Sequence, residues 1–390
     1  MLNFTFKCPT KIIFGKGEEK NIGTYVSEYS KNILLVYGGG SIKKTGLYDT
    51  VVSSLNEAGV SFKELSGIQP NPRLSPVYEG IKICRENNID FILAVGGDSV
   101  ADTAKGIASG VPYDGDVWDF YCGKASPKTV MPLALVLTIP ATGSEASNSS
   151  VITKEEGKEK RNLPSELIRP VFSVLNPELT YSLPPYQTAC GAVDIMSHDM
   201  ERYFTNVEHT DLTDRLCEAV LKTIIVNAPI ALREPENYDA RAEIMWAGTL
   251  AHNDLLGTGR QPDWTSHMVG HEMSALFDLA HGASLSIMHP AWMKYVYKYN
   301  VPRFSQFAKR VFDVPETFGT EEEIAVEGIR KLEEFFRSIG MPVRLSDAGI
   351  PAEAIPEMAA RCTFNDTSKL GWGIHELGQK DIENILELAK

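Results

Sequence analysis

The sequence predicts two domains: an α/β domain with a mainly parallel sheet at residues 1–182, and an all-helical domain at residues 183–390. In the first part, short aliphatic runs alternate with helical stretches, which is typical of a doubly wound sheet. After residue 182 the strand patterns stop and only helical periodicity remains. The junction is expected at Leu183–Pro185, because a double proline fits neither a helix interior nor a strand interior.

The individual elements follow from the apolar patterns. Runs of β-branched and aliphatic residues predict four strands: Asn32–Tyr37, Val60–Leu65, Phe91–Val95 and Leu133–Ile139. Between these strands, helical periodicity predicts helices that end near Leu55, span Val77–Asn87 and begin near Ser99. In the second domain the same periodicity, broken at glycine or proline, predicts helices at Thr188–Phe204, Asp211–Ala228, Tyr238–Leu255, Thr265–Phe277, Ser284–Asn300, Pro302–Val311 and Thr320–Ser338.

Composition and charge exclude several classes of function. The 390 residues carry 38 Lys and Arg against 51 Asp and Glu, a net charge of −13 that argues against a nucleic-acid partner. Six scattered cysteines form no CxxC pair, so neither a disulfide framework nor a thiolate zinc site is expected. The longest apolar run, Met131–Pro140, is shorter than the roughly 20 residues of a membrane span, and no signal peptide is recognisable. A cytoplasmic protein without membrane contact is expected, and Lys154–Arg161 is interpreted as a solvated loop.

Two strand–glycine–helix junctions, Gly38–Ser41 and Gly96–Ser99, indicate a nucleotide site. Glycines at such a junction let backbone N–H groups approach a phosphate at the positive end of the helix. Either junction alone could be a simple tight turn, but two in one domain favour a Rossmann-like dinucleotide-binding domain. A third segment, from Thr138 through Thr142 to Ala146, is rich in hydroxyl and small side chains, and could equally be a capped turn.

The first junction also indicates which dinucleotide is bound. A site for an unphosphorylated ribose usually carries Asp or Glu near the end of the second strand. Here the strand is followed by three glycines and Ser41, and then by Lys43 and Lys44. A small hydroxyl and nearby cations suit a 2′-phosphate, so the sequence favours NADP(H).

Histidines are concentrated in the helical half, where seven of the eight lie between residues 198 and 289. Asp194 and His198 are four residues apart, and His267 and His271 repeat that spacing, so each pair shares one face of a helix. His281 follows in a DLAHGAS turn. One carboxylate with several imidazoles suits a divalent first-row metal, although the spacing does not choose ligands among the last three histidines. The others are interpreted as hydrogen-bonded or exposed: His209, His252, His289 and His375.

The chain resembles the iron-containing (group III) alcohol dehydrogenases, in particular their NADP(H)-dependent butanol dehydrogenase and aldehyde reductase branch. The resemblance covers most of the chain. Its motifs are PTKIIFGKG at 9–17, GGGSIKKTGLYD at 38–49, QPNP at 69–72, GGDSVADTAK at 96–105, LTIPATGSEAS at 137–147, GAVDIMSHDMERY at 191–203 and HMVGHEMSALFDLAHGASLSI at 267–287. It implies a metal-dependent oxidoreductase that interconverts primary alcohols and aldehydes. A homodimer is expected, with Fe²⁺ or Zn²⁺ as the metal.

The resemblance also implies roles for individual residues. The metal ligands would be Asp194, His198, His267 and His281, which leaves His271 available for proton transfer. The cofactor contacts would be Gly38, Gly39, Gly40 and Ser41 at the adenosine end, Gly96, Gly97, Asp98 and Ser99 at the pyrophosphate, Asp102, Thr138 and Thr142 towards the nicotinamide, and further Asn71, Lys160 and Leu179.

One residue departs from the family pattern, and two other functions remain as alternatives. Asp98 stands where many relatives carry glycine, and its charge would weaken cofactor binding unless it points away, binds a ribose hydroxyl or caps the following helix. The first alternative is a polyol dehydrogenase similar to glycerol dehydrogenase, or a dehydroquinate-synthase-like enzyme of the same superfamily. The second is a nucleotide-binding regulator without turnover.

Overall fold

The computed structural model describes all 390 residues, and the chain forms two compact units. The α/β unit comprises residues 7–183 and 235–245, and the helical unit comprises residues 1–6, 184–234 and 246–390. Two short segments therefore differ from the predicted division. Residues 1–6 belong to the helical unit because, for example, the backbone N–H of Leu2 donates to the carbonyl of Gly259. Residues 235–245 belong to the α/β unit, where Met245 is part of the buried core.

The α/β unit contains a six-stranded sheet, with strand order β1-β8-β5-β4-β2-β3, and a separate two-stranded hairpin, β6-β7. The strands are β1 (Lys11–Phe14), β2 (Asn32–Gly38), β3 (Ser61–Ile68), β4 (Phe91–Gly96), β5 (Leu133–Leu137), β6 (Ser149–Lys154), β7 (Glu159–Pro164) and β8 (Phe172–Leu175). All neighbouring strands of the large sheet are parallel. The four strands predicted from the sequence are present. β1 and β8 were not predicted, because four residues are too few to show a clear pattern.

Helices cover both faces of this sheet, so the predicted doubly wound α/β class is confirmed. The helices of the unit are α1 (Ile22–Ser27), α2 (Ser41–Lys44), α3 (Leu47–Glu57), α4 (Leu74–Glu86), α5 (Asp98–Gly110) and α6 (Trp118–Tyr121). Alternate residues of β4 belong to different cores. Ile92 lies in the core that contains side chains of α4 and α5, and Leu93 lies in the core that contains side chains of α1 and α3. Burial on both faces explains why this strand is entirely apolar.

The hairpin replaces part of a predicted loop. The mixed-charge run Lys154–Arg161 contains the end of β6, an exposed turn and the start of β7, so the interpretation as a solvated loop holds for residues 155–158 and was wrong for the two ends of the run. Thr153 pairs with Lys160 across the hairpin. Two apolar residues anchor the hairpin, since Ile152 and Leu163 are fully buried. Both anchoring residues lie outside the charged run, so the run by itself shows no strand pattern.

The helical unit contains the seven helices predicted from the sequence and two short ones that were not. These nine helices are α7 (Pro185–Tyr203), α8 (Asp211–Arg233), α9 (Tyr238–His252), α10 (Thr265–Phe277), α11 (His281–Val296), α12 (Val301–Val311), α13 (Glu321–Ser338), α14 (Ile355–Cys362) and α15 (Gln379–Leu388), of which α9 is divided between the units after Met245. α11 begins at His281 rather than at the predicted Ser284, so this histidine opens a helix instead of lying in a turn. None of the helices combines the length and the apolar character of a membrane span.

Candidate metal centre and cofactor site

Three helices of the helical unit bring the four predicted metal ligands together. α7 carries Asp194 and His198 one turn apart, and Nε2 of His198 lies 3.4 Å from Oδ1 of Asp194. The start of α11 places Nε2 of His281 3.9 Å from the same carboxylate oxygen. α10 adds His267, and the potential ligand atoms of Asp194, His267 and His281 all lie within 4.8 Å of one another. Contacts between α7, α10 and α11 thus assemble one carboxylate and three imidazoles.

The surroundings of this cluster fit a divalent metal. Asp194, His198 and His267 are only 3%, 4% and 3% exposed. Burial lowers the pKa of His198 well below its usual value and keeps the ring in its neutral, metal-binding form. Its Nε2 is buried and makes no hydrogen bond within the protein, as expected of a nitrogen whose partner is a metal ion. A donor set of three imidazoles and one carboxylate suits Zn²⁺, Fe²⁺ and similar ions.

His271 lies beside the cluster, one turn after His267 on α10. It is half-buried, and its ring centroid is 5.3 Å from that of His281. The structure therefore brings together all five residues that the sequence and the resemblance singled out in the helical half.

Two further residues, His252 and Glu201, contact the Nδ1 atoms of two proposed ligand histidines, and the sequence predicted neither contact. Nδ1 of His198 is 2.7 Å from Nδ1 of His252, which was predicted only to be hydrogen-bonded or exposed. Nδ1 of His267 is 2.8 Å from a carboxylate oxygen of Glu201. A signal for Glu201 exists in the sequence, since it follows Asp194 by seven residues and so lies on the same helix face. No local pattern connects His252 with His198, which is 54 residues away.

The other three histidines differ from one another. His209 is exposed, as predicted. His375 stacks on Tyr299 with ring centroids 3.7 Å apart. His289 contradicts the prediction, because it is fully buried and neither ring nitrogen makes a hydrogen bond. Burial lowers the pKa of His289 to about 4.

The predicted cofactor residues lie at the carboxyl ends of neighbouring parallel strands. Gly38 ends β2, Gly96 ends β4 and Thr138 follows β5, and these three strands are adjacent in the sheet. The backbone N–H of Thr138 donates to the carbonyl of Gly96 at 2.9 Å. In open α/β sheets this edge is where ligands bind. The sequence pattern predicted the strands. Because neighbouring strands are parallel, the turns that follow them lie together at one edge of the sheet.

The first turn is open towards solvent and contains a backbone position that favours glycine. Gly40 has a φ of +110°, which favours glycine, and precedes α2 directly. A Cβ atom on Gly39 would meet nothing within 4 Å, so the turn leaves room for a ligand. The ammonium group of Lys43 lies over the ring of Tyr48, 4.5 Å from its centroid.

A carboxylate that sequence reasoning did not consider lies near this lysine. Glu64 of β3 accepts hydrogen bonds from the hydroxyl groups of Tyr37 and Tyr48, at 2.5 and 2.7 Å. A hydrogen bond between Lys43 and Tyr37 is the main cause that raises the pKa of Lys43, and the charge of Glu64 adds to it. The turn itself still has no acidic side chain, but the positive charge of Lys43 is partly balanced.

In the second turn, Gly96–Ser99, glycine is needed for close packing rather than for its backbone conformation. A Cβ atom on Gly96 would lie 2.6 Å from Cγ2 of Val100, so close packing between β4 and α5 requires glycine here. Asp98 follows, and its Oδ2 accepts the backbone N–H of Thr142 at 3.2 Å. It does not cap α5, whose N-cap is Gly97. The carboxylate therefore connects the second turn with the third segment, Thr138–Ala146, a role that the sequence did not predict.

Two buried charges on α5, Asp102 and Lys105, bind the chain from Ser144 to Val151, which joins the third segment to β6. Asp102 is 9% exposed and accepts hydrogen bonds from the hydroxyl group of Ser144 and the N–H of Val151. Lys105 is fully buried, and its ammonium group donates to Ser144 and to the carbonyl oxygens of Ser147 and Ser149. Asp102 thus shapes the site through its neighbours, whatever contact it makes with a cofactor.

The remaining predicted contacts lie at the same sheet edge or on the hairpin. Asn71 follows β3, has a φ of +51° and accepts a hydrogen bond from the ammonium group of Lys160 at 3.0 Å. Leu179 follows β8 and packs, half-buried, against the core. The pairing of Asn71 with Lys160, 89 residues apart, was not predictable from local patterns.

Solved structures of similar fold define the class of protein first. The chain matches an NADH-dependent butanol dehydrogenase A from Thermotoga maritima with a TM-score of 0.96 and 39% identity, covering 100% of this chain and 99% of the other. It matches the aldehyde reductase YqhD from Escherichia coli with a TM-score of 0.89 and 37% identity over the whole of both chains. Both neighbours are oxidoreductases of alcohols or aldehydes.

The family follows from the sequence matches. Residues 9–177 match the iron-containing alcohol dehydrogenase family, and residues 188–389 match the C-terminal domain of the same family. A probable NADH-dependent butanol dehydrogenase of Bacillus subtilis is 46% identical over 389 residues, covering 100% of each chain. The chain belongs to the iron-containing alcohol dehydrogenases. It is an oxidoreductase of alcohols and aldehydes with a divalent metal and a nicotinamide cofactor, and neither the polyol dehydrogenase nor the regulator is favoured.

Proposed function

We propose that this protein interconverts short-chain primary alcohols and aldehydes, such as butanol and butyraldehyde, by hydride transfer with NADP(H). The observation that carries the proposal is the buried cluster of Asp194 and three histidines in a chain of this family. The substrate class is supported by relatives named butanol dehydrogenase, and by the NADPH-dependent aldehyde reductase YqhD of Escherichia coli, which is 38% identical over 393 residues.

The ligands proposed for the metal are Asp194, His198, His267 and His281. When bound, the divalent ion supplies a Lewis acid for the substrate oxygen, and the nicotinamide supplies or accepts the hydride. The protein contributes a site in which three of the ligands are almost completely buried, so that little water competes with the substrate. We assign proton transfer at the substrate oxygen to His271, because it is half-buried and adjacent to His281.

The preference for NADP(H) over NADH is part of the proposal. Its support is the first turn, which has no carboxylate, an exposed Ser41 and Lys43 close by. A carboxylate at this turn would repel a 2′-phosphate, whereas a hydroxyl and a cation suit it. Relatives are named for either cofactor, NADH for the butanol dehydrogenases and NADPH for YqhD, and the assay below compares both.

The decisive experiment for the function combines metal reconstitution with a substrate panel. Purified protein is stripped of metal, reloaded with Fe²⁺ or Zn²⁺ alone, and assayed with aldehydes of increasing chain length and either NADPH or NADH. We expect butyraldehyde-dependent oxidation of NADPH that vanishes on stripping and returns on reloading. His267→Ala, treated identically, is the control without an intact ligand set. Stoichiometric metal without turnover of any aldehyde or alcohol would refute the proposed function.

We also propose a cytoplasmic homodimer. The N-terminal segment of the helical unit exposes several apolar side chains, among them Leu2 at 47%, Phe4 at 53% and Phe6 at 41%. Such clustering is typical of a surface that binds another protein. All six cysteines are free thiols, which suits a reducing compartment. Light scattering coupled to gel filtration is expected to give twice the mass of the 43.0 kDa chain.

A further inference from the structure

We propose that Glu201 is a positioning residue, which fixes the ring of His267 and joins the two helices that carry most of the metal ligands. The inference rests on the proposed metal site but not on the identity of the substrate. Glu201 is 2% exposed and lies near the end of α7, the helix that carries Asp194 and His198. Its side chain reaches the start of α10, where His267 is located.

The carboxylate of Glu201 makes three hydrogen bonds with the start of α10. Oε1 accepts the backbone N–H of His267 at 2.9 Å and lies 2.8 Å from Nδ1 of the same residue. Oε2 accepts from the backbone N–H of Trp264 at 2.6 Å. The backbone carbonyl of Glu201 accepts a fourth hydrogen bond, from the N–H of Asp263 at 2.8 Å. α7 is therefore connected to the beginning of α10 by four hydrogen bonds through one residue.

The contact with Nδ1 decides which nitrogen of His267 can bind the metal. Each oxygen of Glu201 already accepts a backbone N–H, so the carboxylate acts as an acceptor towards Nδ1 as well, and we assign the proton to Nδ1. The lone pair of the neutral ring is then on Nε2. A carboxylate behind a metal-bound histidine fixes the tautomer and the ring orientation and makes the histidine a stronger ligand.

The contacts of Glu201 with the backbone of Trp264 and His267 stabilise the N-terminus of α10. The N–H groups at the start of a helix have no partner within the helix and need one from outside. Trp264 precedes α10 with a φ of +68°, and its side chain makes no capping hydrogen bond. Glu201 supplies the missing acceptor from a distant part of the chain. The carboxylate of Glu201 thus stabilises the first turn of α10 and also orients the ring of His267 on that helix.

A second metal ion is the competing explanation of this cluster. The potential ligand atoms of Glu201, His267 and His289 all lie within 4.8 Å of one another. His289 is fully buried, and neither ring nitrogen makes a hydrogen bond. Both oxygens of Glu201 already accept a backbone N–H, from Trp264 and from His267, and this favours the positioning role over metal binding.

The test compares two acid-to-amide variants at the same helix start. Glu201→Gln alters the residue that touches His267. Asp263→Asn is the matched control, because Asp263 is also buried and accepts from the N–H groups of Thr265 and Gly373, but its carboxylate touches no histidine. Metal affinity is measured by competition with a chelator, and the ligand field is measured from the visible spectrum of the Co²⁺-loaded proteins. Both readouts are independent of turnover.

We expect Glu201→Gln to lose about 10- to 100-fold in metal affinity and to shift the Co²⁺ spectrum, and Asp263→Asn to change neither by more than about threefold. Equal losses in both variants, or an unchanged Glu201→Gln, would overturn the positioning role. Two metal ions per wild-type chain, with one lost in His289→Leu, would overturn it in favour of a second metal site.

A measurement on the wild type covers the case in which Glu201→Gln does not fold. In protein loaded with Zn²⁺ and labelled with ¹⁵N-histidine, His267 is expected to show a protonated Nδ1 and a metal-bound Nε2. The opposite tautomer would overturn the proposal.

Discussion

At the scale of single residues, His267 and His271 lie one turn apart on the same face of α10 but have different surroundings. His267 is 3% exposed and hydrogen-bonded to Glu201. His271, one turn later, is half-buried and lies beside the ring of His281. A buried ring whose Nδ1 is hydrogen-bonded to a carboxylate suits a metal ligand, and a more accessible ring beside the ligands suits proton transfer.

The first prediction separates these two roles. His267→Ala is expected to lose the bound metal and the activity together, because it removes one of four ligands. His271→Ala is expected to keep the metal and to lose roughly 100-fold or more in kcat, a typical contribution of general acid–base catalysis. Metal content by mass spectrometry and kcat on the same preparations check both. Loss of metal from His271→Ala with retention in His267→Ala would reverse the assignment.

Asp98 is a second residue whose surroundings determine its chemistry. Burial and the nearby charges of Glu145 and Asp102 raise the pKa of Asp98 to about 7. Since this value lies above that of the unfolded chain, ionisation opposes folding. The stability cost is absent at pH values below the unfolded pKa, grows as the pH rises, and is complete above about pH 7.

The second prediction follows from that sign. Asp98→Asn keeps an acceptor for the N–H of Thr142 but cannot ionise, so it is expected to be more stable than the wild type at pH 8. The advantage is expected to shrink towards pH 5, at up to about 1.4 kcal/mol per pH unit. Urea denaturation at both pH values measures the two free energies of unfolding. A difference that does not change with pH would show that Asp98 is ionised throughout.

At the scale of elements, the turn between β2 and α2 is the structural basis for the proposed cofactor preference. Two positions could receive a test carboxylate, and the backbone decides between them. Gly40 has a φ of +110°, so any side chain there adds strain. Ser41 begins α2 and is exposed, so a substitution there changes charge without backbone strain.

The third prediction uses this position. The unmodified protein is expected to have a higher kcat/KM with NADPH than with NADH. Ser41→Asp is expected to lower or reverse that ratio by repelling the 2′-phosphate. Ser41→Asn, of similar shape but uncharged, is the control and is expected to stay closer to the wild type. Equal or better use of NADH by the unmodified protein would contradict the proposed preference.

The fourth prediction concerns the junction of β4 and α5. In Gly96→Ala the new Cβ atom would lie 2.6 Å from a methyl group of Val100, so the strand or the helix must shift. We expect a loss of about 1–3 kcal/mol in the free energy of unfolding. Gly39→Ala, whose Cβ would enter open space, is expected to change stability by about 0.5 kcal/mol or less. Equal stability of the two variants in urea denaturation would contradict this packing argument.

At the scale of the whole molecule, the residues proposed to bind the metal and those proposed to bind the cofactor belong to different units. The metal ligands all belong to the helical unit, and the glycine turns all belong to the α/β unit. A ligand that binds only the folded form stabilises the unit that holds it. The location of stabilisation can therefore test the assignment of each site independently of activity.

The fifth prediction is the location of that stabilisation. Metal loading at 100 times its Kd is expected to add about 2.7 kcal/mol and to slow hydrogen exchange in α7, α10 and α11. Hydrogen exchange followed by mass spectrometry, with and without metal, maps the effect. His267→Ala serves as the control and is expected to show little response. Protection confined to the α/β unit would place the metal elsewhere.

The sequence by itself determined the fold class and the local parts of both sites. Strand runs such as Phe91–Val95 and helices such as Thr265–Phe277 are visible because burial imposes a period of 2 or 3.6 residues, or a continuous apolar run. The same local geometry paired Asp194 with His198, since residues four apart share a helix face. The glycine turns were visible for a similar reason, as they directly follow apolar runs.

Only the tertiary structure decided which distant groups meet. The hydrogen bonds of Glu201 with His267 and of Asp98 with Thr142 join residues 66 and 44 positions apart, and no local period encodes them. Spacing could not choose among the three late histidines, because the choice depends on how α10 and α11 pack against α7. Periodicity fixes which face of each helix is buried, whereas the packing of those faces fixes which side chains touch.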